Sequence, residues 1–204
     1  MFRLHGLLFG LVSIISATAG GTAHAADVFQ PMDTYQRVDT FRDRFEFRFG
    51  VGMHGVGSVE SGTVSLNPEI VFPQLRLGDW PIDPRWAFLI PRLHIGGMAN
   101  LSGRTSYGYA GALWTLGVTE RLFVEGFLGG ALHDGSLTGN AAANQAALGC
   151  RLLFHVGGSV GYRITQQWSV MFTFDHLSNG NAVLDGCSRN QGLNEYLLRV
   201  GYSF

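Results

Sequence analysis

The sequence predicts an all-β fold: an eight-stranded antiparallel transmembrane β-barrel of the outer-membrane kind. Three observations carry that expectation. Eight segments, each roughly ten residues or a little more, alternate apolar and polar side chains, the period of strands with two different faces. Beyond the N-terminal leader no stretch reaches about 18 continuous apolar residues, so helical spans are excluded. The chain is 46% hydrophobic and has 29 glycines, yet is only 14% charged, a balance that suits a small barrel facing lipid.

The N-terminus opens with Met1-Phe2-Arg3, continues into an apolar stretch from Leu7 to Val12, and reaches Ala23-His24-Ala25, a small-x-small cleavage pattern. Residues 1–25 therefore read as a signal peptide. Residues 26–204 read as the barrel domain, with 26–40 as a polar periplasmic lead-in. Cys150 and Cys187 are the two cysteines, and in an exported chain an even pair implies a disulfide. A metal pair would need further ligands at metal spacing nearby, and none stands there. All 14 basic residues are arginine and the net charge is −1, which argues against a nucleic-acid partner.

The segments follow in order. In 44–54, Phe45, Phe47, Phe49, Val51 and Met53 oppose Arg44, Glu46, Arg48 and His54. In 63–72, Val64, Leu66, Ile70 and Phe72 oppose Ser65, Asn67 and Glu69. In 86–100, Leu89, Leu93 and Ile95 oppose Arg92, His94 and Asn100, and Pro91 weakens the middle because proline donates nothing to the ladder. Segment 105–118 carries Ala110, Ala112, Trp114, Leu116 and Val118 on one side, and 122–133 sets Leu122, Val124, Leu128 and Leu132 against Glu125 and His133. In 151–164, Leu152, Phe154, Val156, Val160, Tyr162 and Ile164 oppose Arg151, His155, Ser159 and Arg163. Segment 168–178 has Trp168, Val170, Phe172 and Phe174 on one face and ends that face with His176 and Ser178. In 194–204, Tyr196, Leu198, Val200, Tyr202 and Phe204 oppose Glu195, Arg199 and Ser203.

The apolar faces are expected outward in lipid. Charges of both signs on the opposite faces, aromatics near strand ends and the terminal Phe204 favour that side, whereas a soluble lipid-binding barrel would invert it. Eight strands leave a lumen that side chains fill, so the inner charges read as an ion-pair network and not a pore. With a periplasmic N-terminus, odd strands run outward, 119–121 and 165–167 are short inner turns, and 134–149 and 179–192 are long outer loops. The stretch 78–84 is a longer inner turn than this asymmetry predicts. Cys150 and Cys187 fall at the bases of neighbouring outer loops, and His176 and Ser178 fall level with the outer leaflet.

A histidine and a serine two residues apart on a strand share a face, roughly 6.5–7 Å along it. They suit a base and a nucleophile. The bland alternative is that both merely mark the interface, where outward polar groups cost little. His133-Asp134 reads as a solvated loop start, and Asp175, on the inner face, as a partner for a lumen arginine. No phosphate loop, metal motif or nucleotide fingerprint occurs, and no cofactor is expected.

The run 174–180, Phe-Asp-His-Leu-Ser-Asn-Gly, the run 190–193, Asn-Gln-Gly-Leu, and the closing 197–204, Leu-Leu-Arg-Val-Gly-Tyr-Ser-Phe, resemble the PagL-type lipid A 3-O-deacylases and the related acyloxyacyl hydrolase group. Looser similarity runs back through 91–97 and 123–126. The resemblance implies an outer-membrane barrel that removes the ester-linked acyl chain at position 3 of lipid A, from a site on its outer surface. It implies Ser178 as nucleophile, His176 as base, and Asn179 with loop amides such as that of Asn181 as oxyanion donors. It also implies an outward acid on the last strand, orienting His176. Glu195 is the carboxylate at that level and is taken for the role, although strict alternation from Phe204 points it inward. A bulge near Gly192-Leu193 would turn it outward. The alternative is Asn194, which alternation points outward and which gives a Ser-His-Asn arrangement. The expected partners are lipopolysaccharide and the outer-membrane lipid of a Gram-negative cell; a homodimer is left open. The rival reading is a non-catalytic small outer-membrane barrel, structural or adhesive, with a vestigial dyad.

Overall fold

The computed structural model describes residues 41–75, 84–180, 187 and 189–204; the expected signal peptide, the lead-in and most of the 78–84 stretch lie outside them. Eight strands follow one another: β1 Glu46–His54, β2 Thr63–Gln74, β3 Arg92–Asn100, β4 Tyr107–Gly117, β5 Leu122–His133, β6 Leu152–Arg163, β7 Trp168–Ser178 and β8 Leu193–Ser203. Each pairs antiparallel with its neighbour in sequence, and β8 pairs with β1 to close the barrel. The closing seam sets Glu46 against Ser203 and Met53 against Tyr196. Closure leaves no unpaired edge, which a strand in a bilayer could not tolerate.

Burial alternates along the strands as the two-faced pattern requires. In β7, Trp168 is 47% exposed and Phe172 51%, while Ser169, Met171, Thr173 and Asp175 between them are buried. The wall is therefore apolar on its outside, from Phe47 on β1 to Leu198 on β8. A continuous band of this kind belongs in contact with lipid.

The lumen is filled by side chains of both charges. Arg48 lies 2.8 Å from Glu125, 3.0 Å from Glu46 and 3.5 Å from Glu69. Arg92 reaches Glu46 at 3.1 Å, and Arg199 reaches Glu69 at 3.2 Å. Asp175 meets His155 at 2.7 Å and stands 4.0 Å from Arg199, so its main partner is a histidine. Aromatic rings fill the remaining space: Tyr109 stacks on His155 at 4.1 Å, and the Phe123 ring occupies room that any side chain at Gly161 would take. A buried charge needs a partner at this depth, and Arg48, Arg92 and Arg199 each find one on another strand.

Two expectations change. The third segment does not begin at Trp86: residues Pro84–Leu89 form a 3-10 helix, and β3 starts at Arg92, after Pro91. Gln74 Nε2 donates to Ala87 O at 2.6 Å and to Ile90 O at 2.8 Å, and Trp114 Nε1 donates to Leu89 O at 3.0 Å, so the helix is pinned to the inner rim. Proline at a strand's start loses no ladder bond, whereas in its middle it would. His133 is not a solvated loop start. It is buried inside the rim with Nε2 on Cys150 O, while Asp134 after it is exposed, accepting from Ser106 N at 2.7 Å.

Candidate active site

His176 and Ser178 stand at the outer end of β7, on the face that carries Trp168, Phe172 and Phe174. Unlike those residues, both are half-buried. The register sets His176 between Val156 of β6 and Asn194 of β8, and Ser178 beside Phe154. Just inward of the pair, Phe174 and Tyr196 meet with ring centroids 5.3 Å apart. The polar pair thus crowns an aromatic wall.

His176 Nδ1 lies 2.7 Å from Asn194 Oδ1. Asn194 Nδ2 donates to Val56 O at 3.3 Å, and Val56 N donates to Asn194 O at 2.8 Å. The tie through Nδ2 assigns which end of the amide faces the ring. An amide oxygen only accepts, so Nδ1 carries the ring proton and Nε2 is the basic nitrogen. Gly192 lies along that edge of the ring: a Cβ there would stand 3.1 Å from His176 Cε1 and 3.7 Å from Nε2. A groove of about 430 Å3 opens beside this edge, between residues 56–59 of the first outer loop and Gln191, Gly192 and Asn194.

Glu195 does not orient His176. It is fully buried on the lumen side, and its Oε1 lies 2.7 Å from His54 Nδ1. β8 keeps its alternation here, with His176 paired to Asn194 and Asp175 to Glu195, so no bulge turns the carboxylate outward. Asn194 occupies the place instead. Asn179 also departs from expectation. It is buried, its Nδ2 donates to Leu148 O at 3.2 Å and to Arg189 O, and its backbone N donates to Asn190 Oδ1 at 3.2 Å. Both amide hydrogens are thereby committed to loop carbonyls, and its side chain clips two outer loops together. Asn181 lies outside the described residues.

Cys150 and Cys187 form a disulfide that joins the β5–β6 loop to the β7–β8 loop, with Cα atoms 5.2 Å apart. It closes a separation of 37 residues, and constraining an unfolded loop of that size contributes roughly 2–4 kcal/mol. The double variant Cys150→Ser, Cys187→Ser is expected to unfold at correspondingly lower urea concentration. An unchanged midpoint, in wild type with and without reductant, would remove the disulfide from the account of stability.

One residue that the pattern did not single out is Glu60, the single charge in the loop between β1 and β2. Its carboxylate accepts from Thr105 N at 2.9 Å, Thr105 Oγ1 at 2.9 Å and Ala146 N at 2.8 Å, and lies 3.1 Å from His54 Nε2. Burial pushes the Glu60 carboxyl up, but the hydrogen bonds from His54, the Ala146 and Thr105 amides and the Thr105 hydroxyl outweigh it and hold it down at about 2. Glu60 is therefore an ionised acceptor at neutral pH. A lone carboxylate among the glycines of an outer loop was the available signal.

The comparisons with known proteins agree with this architecture. Among solved structures, the barrel is similar to that of the outer membrane enzyme PagL, with 15% identity, a TM-score of 0.55, and coverage of 78% of this chain and 99% of that one. It is also similar to a de novo designed transmembrane β-barrel, with 13% identity, a TM-score of 0.50, and coverage of 79% and 96%. At these identities both likenesses speak for the fold alone. No curated protein matches the chain. The family model for lipid A 3-O-deacylase (PagL) matches residues 64–203, from the second residue of β2 to the end of β8, with His176, Ser178 and Asn194 inside the span. By that match the chain belongs to the lipid A 3-O-deacylase (PagL) family of outer-membrane barrels.

Proposed function

We propose that this chain is a serine esterase that hydrolyses the ester-linked acyl chain at position 3 of lipid A, in the outer leaflet of a Gram-negative outer membrane. The observation that carries the reading is the 2.7 Å contact from His176 Nδ1 to Asn194 Oδ1, on a lipid-facing wall two residues from Ser178. Ser178 Oγ attacks the ester carbonyl while His176 Nε2 takes its proton. The tetrahedral intermediate collapses, His176 returns the proton to the departing sugar 3-hydroxyl, and water then frees the acyl group from Ser178 by the reverse use of the same base. The groove between residues 56–59 and Gly192 gives the ester access to the Nε2 edge. Backbone amides after Ser178, that of Asn181 among them, are the proposed oxyanion donors, in place of the Asn179 side chain, whose amide hydrogens bond Leu148 O and Arg189 O.

Asn194 is a neutral third member. It holds the ring and its tautomer but adds no charge to stabilise imidazolium. Asn194→Ala is accordingly expected to lower kcat by about ten- to a hundredfold, less than removal of a charged triad acid, with KM little changed. A variant with unaltered kcat would take Asn194 out of the mechanism. The function itself is tested by mass spectrometry of lipid A from cells expressing the wild-type chain. One ester-linked acyl chain is expected to be missing. An acylation pattern equal to that of empty cells would leave the non-catalytic barrel as the reading.

A further inference from the structure

We propose that the first outer loop, residues 55–62, is a positioning element of the esterase, and that Glu60 is the residue that makes it one. The inference rests on the proposed ester hydrolysis and adds a residue to it.

The loop grips Asn194 twice, through the Val56 N–H on its carbonyl and the Val56 carbonyl on its side-chain amide. The second grip decides chemistry. While Val56 O takes the Nδ2 hydrogen, Asn194 must present Oδ1 to His176 Nδ1. If the loop drifts, the amide is free to turn over and present Nδ2 instead. The ring then holds its proton on Nε2, the tautomer that cannot accept one from Ser178.

The loop cannot supply this rigidity from within. Its internal bonds are short-range turns: Ser58 N and Ser58 Oγ donate to Gly55 O at 2.8 and 2.7 Å, and Glu60 N donates to Ser58 Oγ at 3.1 Å. The external anchor is the Glu60 carboxylate. It takes two donors from Thr105, in the β3–β4 loop, and one from Ala146, in the β5–β6 loop. A carboxylate offers about four acceptor sites, and His54 Nε2 stands at the fourth. Through the other nitrogen of His54 the chain of contacts continues to Glu195, the residue after Asn194. Glu60 thus reaches the orienting amide by two routes, one outside the barrel wall through Val56 and one inside it through His54. Glu60 itself does not line the groove, so it is a positioning residue and not a catalytic one.

Glu60→Gln keeps the shape but turns one acceptor into a donor, which faces a backbone N–H, of Thr105 or of Ala146, whichever way the amide lies. Thr105→Val is the milder change, removing one hydroxyl donor that is not part of the groove lining. Each is to be made in the wild type and in Asn194→Ala, checked for folding by heat-modifiable gel migration, and assayed in detergent on lipid A. Glu60→Gln is expected to lower kcat about tenfold, and Thr105→Val about threefold, with KM within about twofold of the wild type. Both losses are expected to vanish in the Asn194→Ala background, because the amide through which they act is gone. Equal losses in the two backgrounds, or no loss in the wild type, overturn the proposal. A readout without turnover separates it from the esterase reading: 15N spectra of histidine-labelled protein are expected to give the Nδ1–H tautomer at His176 in the wild type and a mixture in Glu60→Gln. An unchanged tautomer in Glu60→Gln overturns the positioning role. A wild type that gives this tautomer pattern yet leaves lipid A intact overturns the esterase and leaves the positioning of His176 standing.

Discussion

Ser178→Ala is expected to leave lipid A fully acylated in cells where the wild-type chain removes one acyl group. Purified, the variant is expected to lose at least about a thousandfold in kcat. The reason is specific to the proposed covalent route. Without Oγ there is no acyl-enzyme, and His176 is left to activate a water that nothing holds against the carbonyl. What survives is binding in the groove and any oxyanion contacts from the loop. The substitution removes one oxygen from a half-buried outward position, so the barrel itself is expected to fold and to migrate on gels as the wild type does. Equal deacylation by wild type and Ser178→Ala would refute the serine mechanism while leaving the barrel untouched.

Arg48→Met is expected to give the largest loss of stability, about 3–5 kcal/mol, read as a lower urea midpoint by tryptophan fluorescence in lipid vesicles. Arg48 is 1% exposed and faces three carboxylates. They do not suffer equally when it goes. Glu46 keeps Arg92 at 3.1 Å, and Glu69 keeps Arg199 at 3.2 Å and His94 at 2.8 Å. Glu125 keeps the Thr115 hydroxyl at 2.9 Å but no cation at ion-pair distance among the described residues. The cost is therefore that of one orphaned carboxylate in a closed lumen. The double variant Arg48→Met, Glu125→Leu removes the orphan as well and is expected to recover most of the loss. A double variant no more stable than Arg48→Met would show that the penalty lies in packing and not in charge.

The strands and their faces were legible because alternation is a local property, repeated eight times. The same alternation, followed strictly, put Asn194 outward and Glu195 inward. Preferring Glu195 by residue type meant invoking a bulge that β8 does not contain. Asn179 was misread for a different reason: its two acceptors, Leu148 O and Arg189 O, belong to loops whose meeting depends on tertiary closure and the Cys150–Cys187 link. Glu60 stood out as the lone charge of its loop, but its role was not legible on the same ground, since its donors come from residues 45 and 86 positions away in sequence. The helical turn at Pro84–Leu89 was absorbed into a strand because Leu89 kept step with Leu93 and Ile95 across Pro91.

The position of His176 and Ser178 on the outside of the wall also sets how reactants of the proposed esterase arrive. Nothing reaches them by passing down the cylinder, whose bore is occupied by interlocked charges and rings. A molecule must come sideways, sharing the same leaflet, so its abundance is counted per unit area and not per unit volume. Diluting a reactant among inert amphiphiles should slow encounter even when the total amount in suspension is held constant, and adding more bulk water should change nothing.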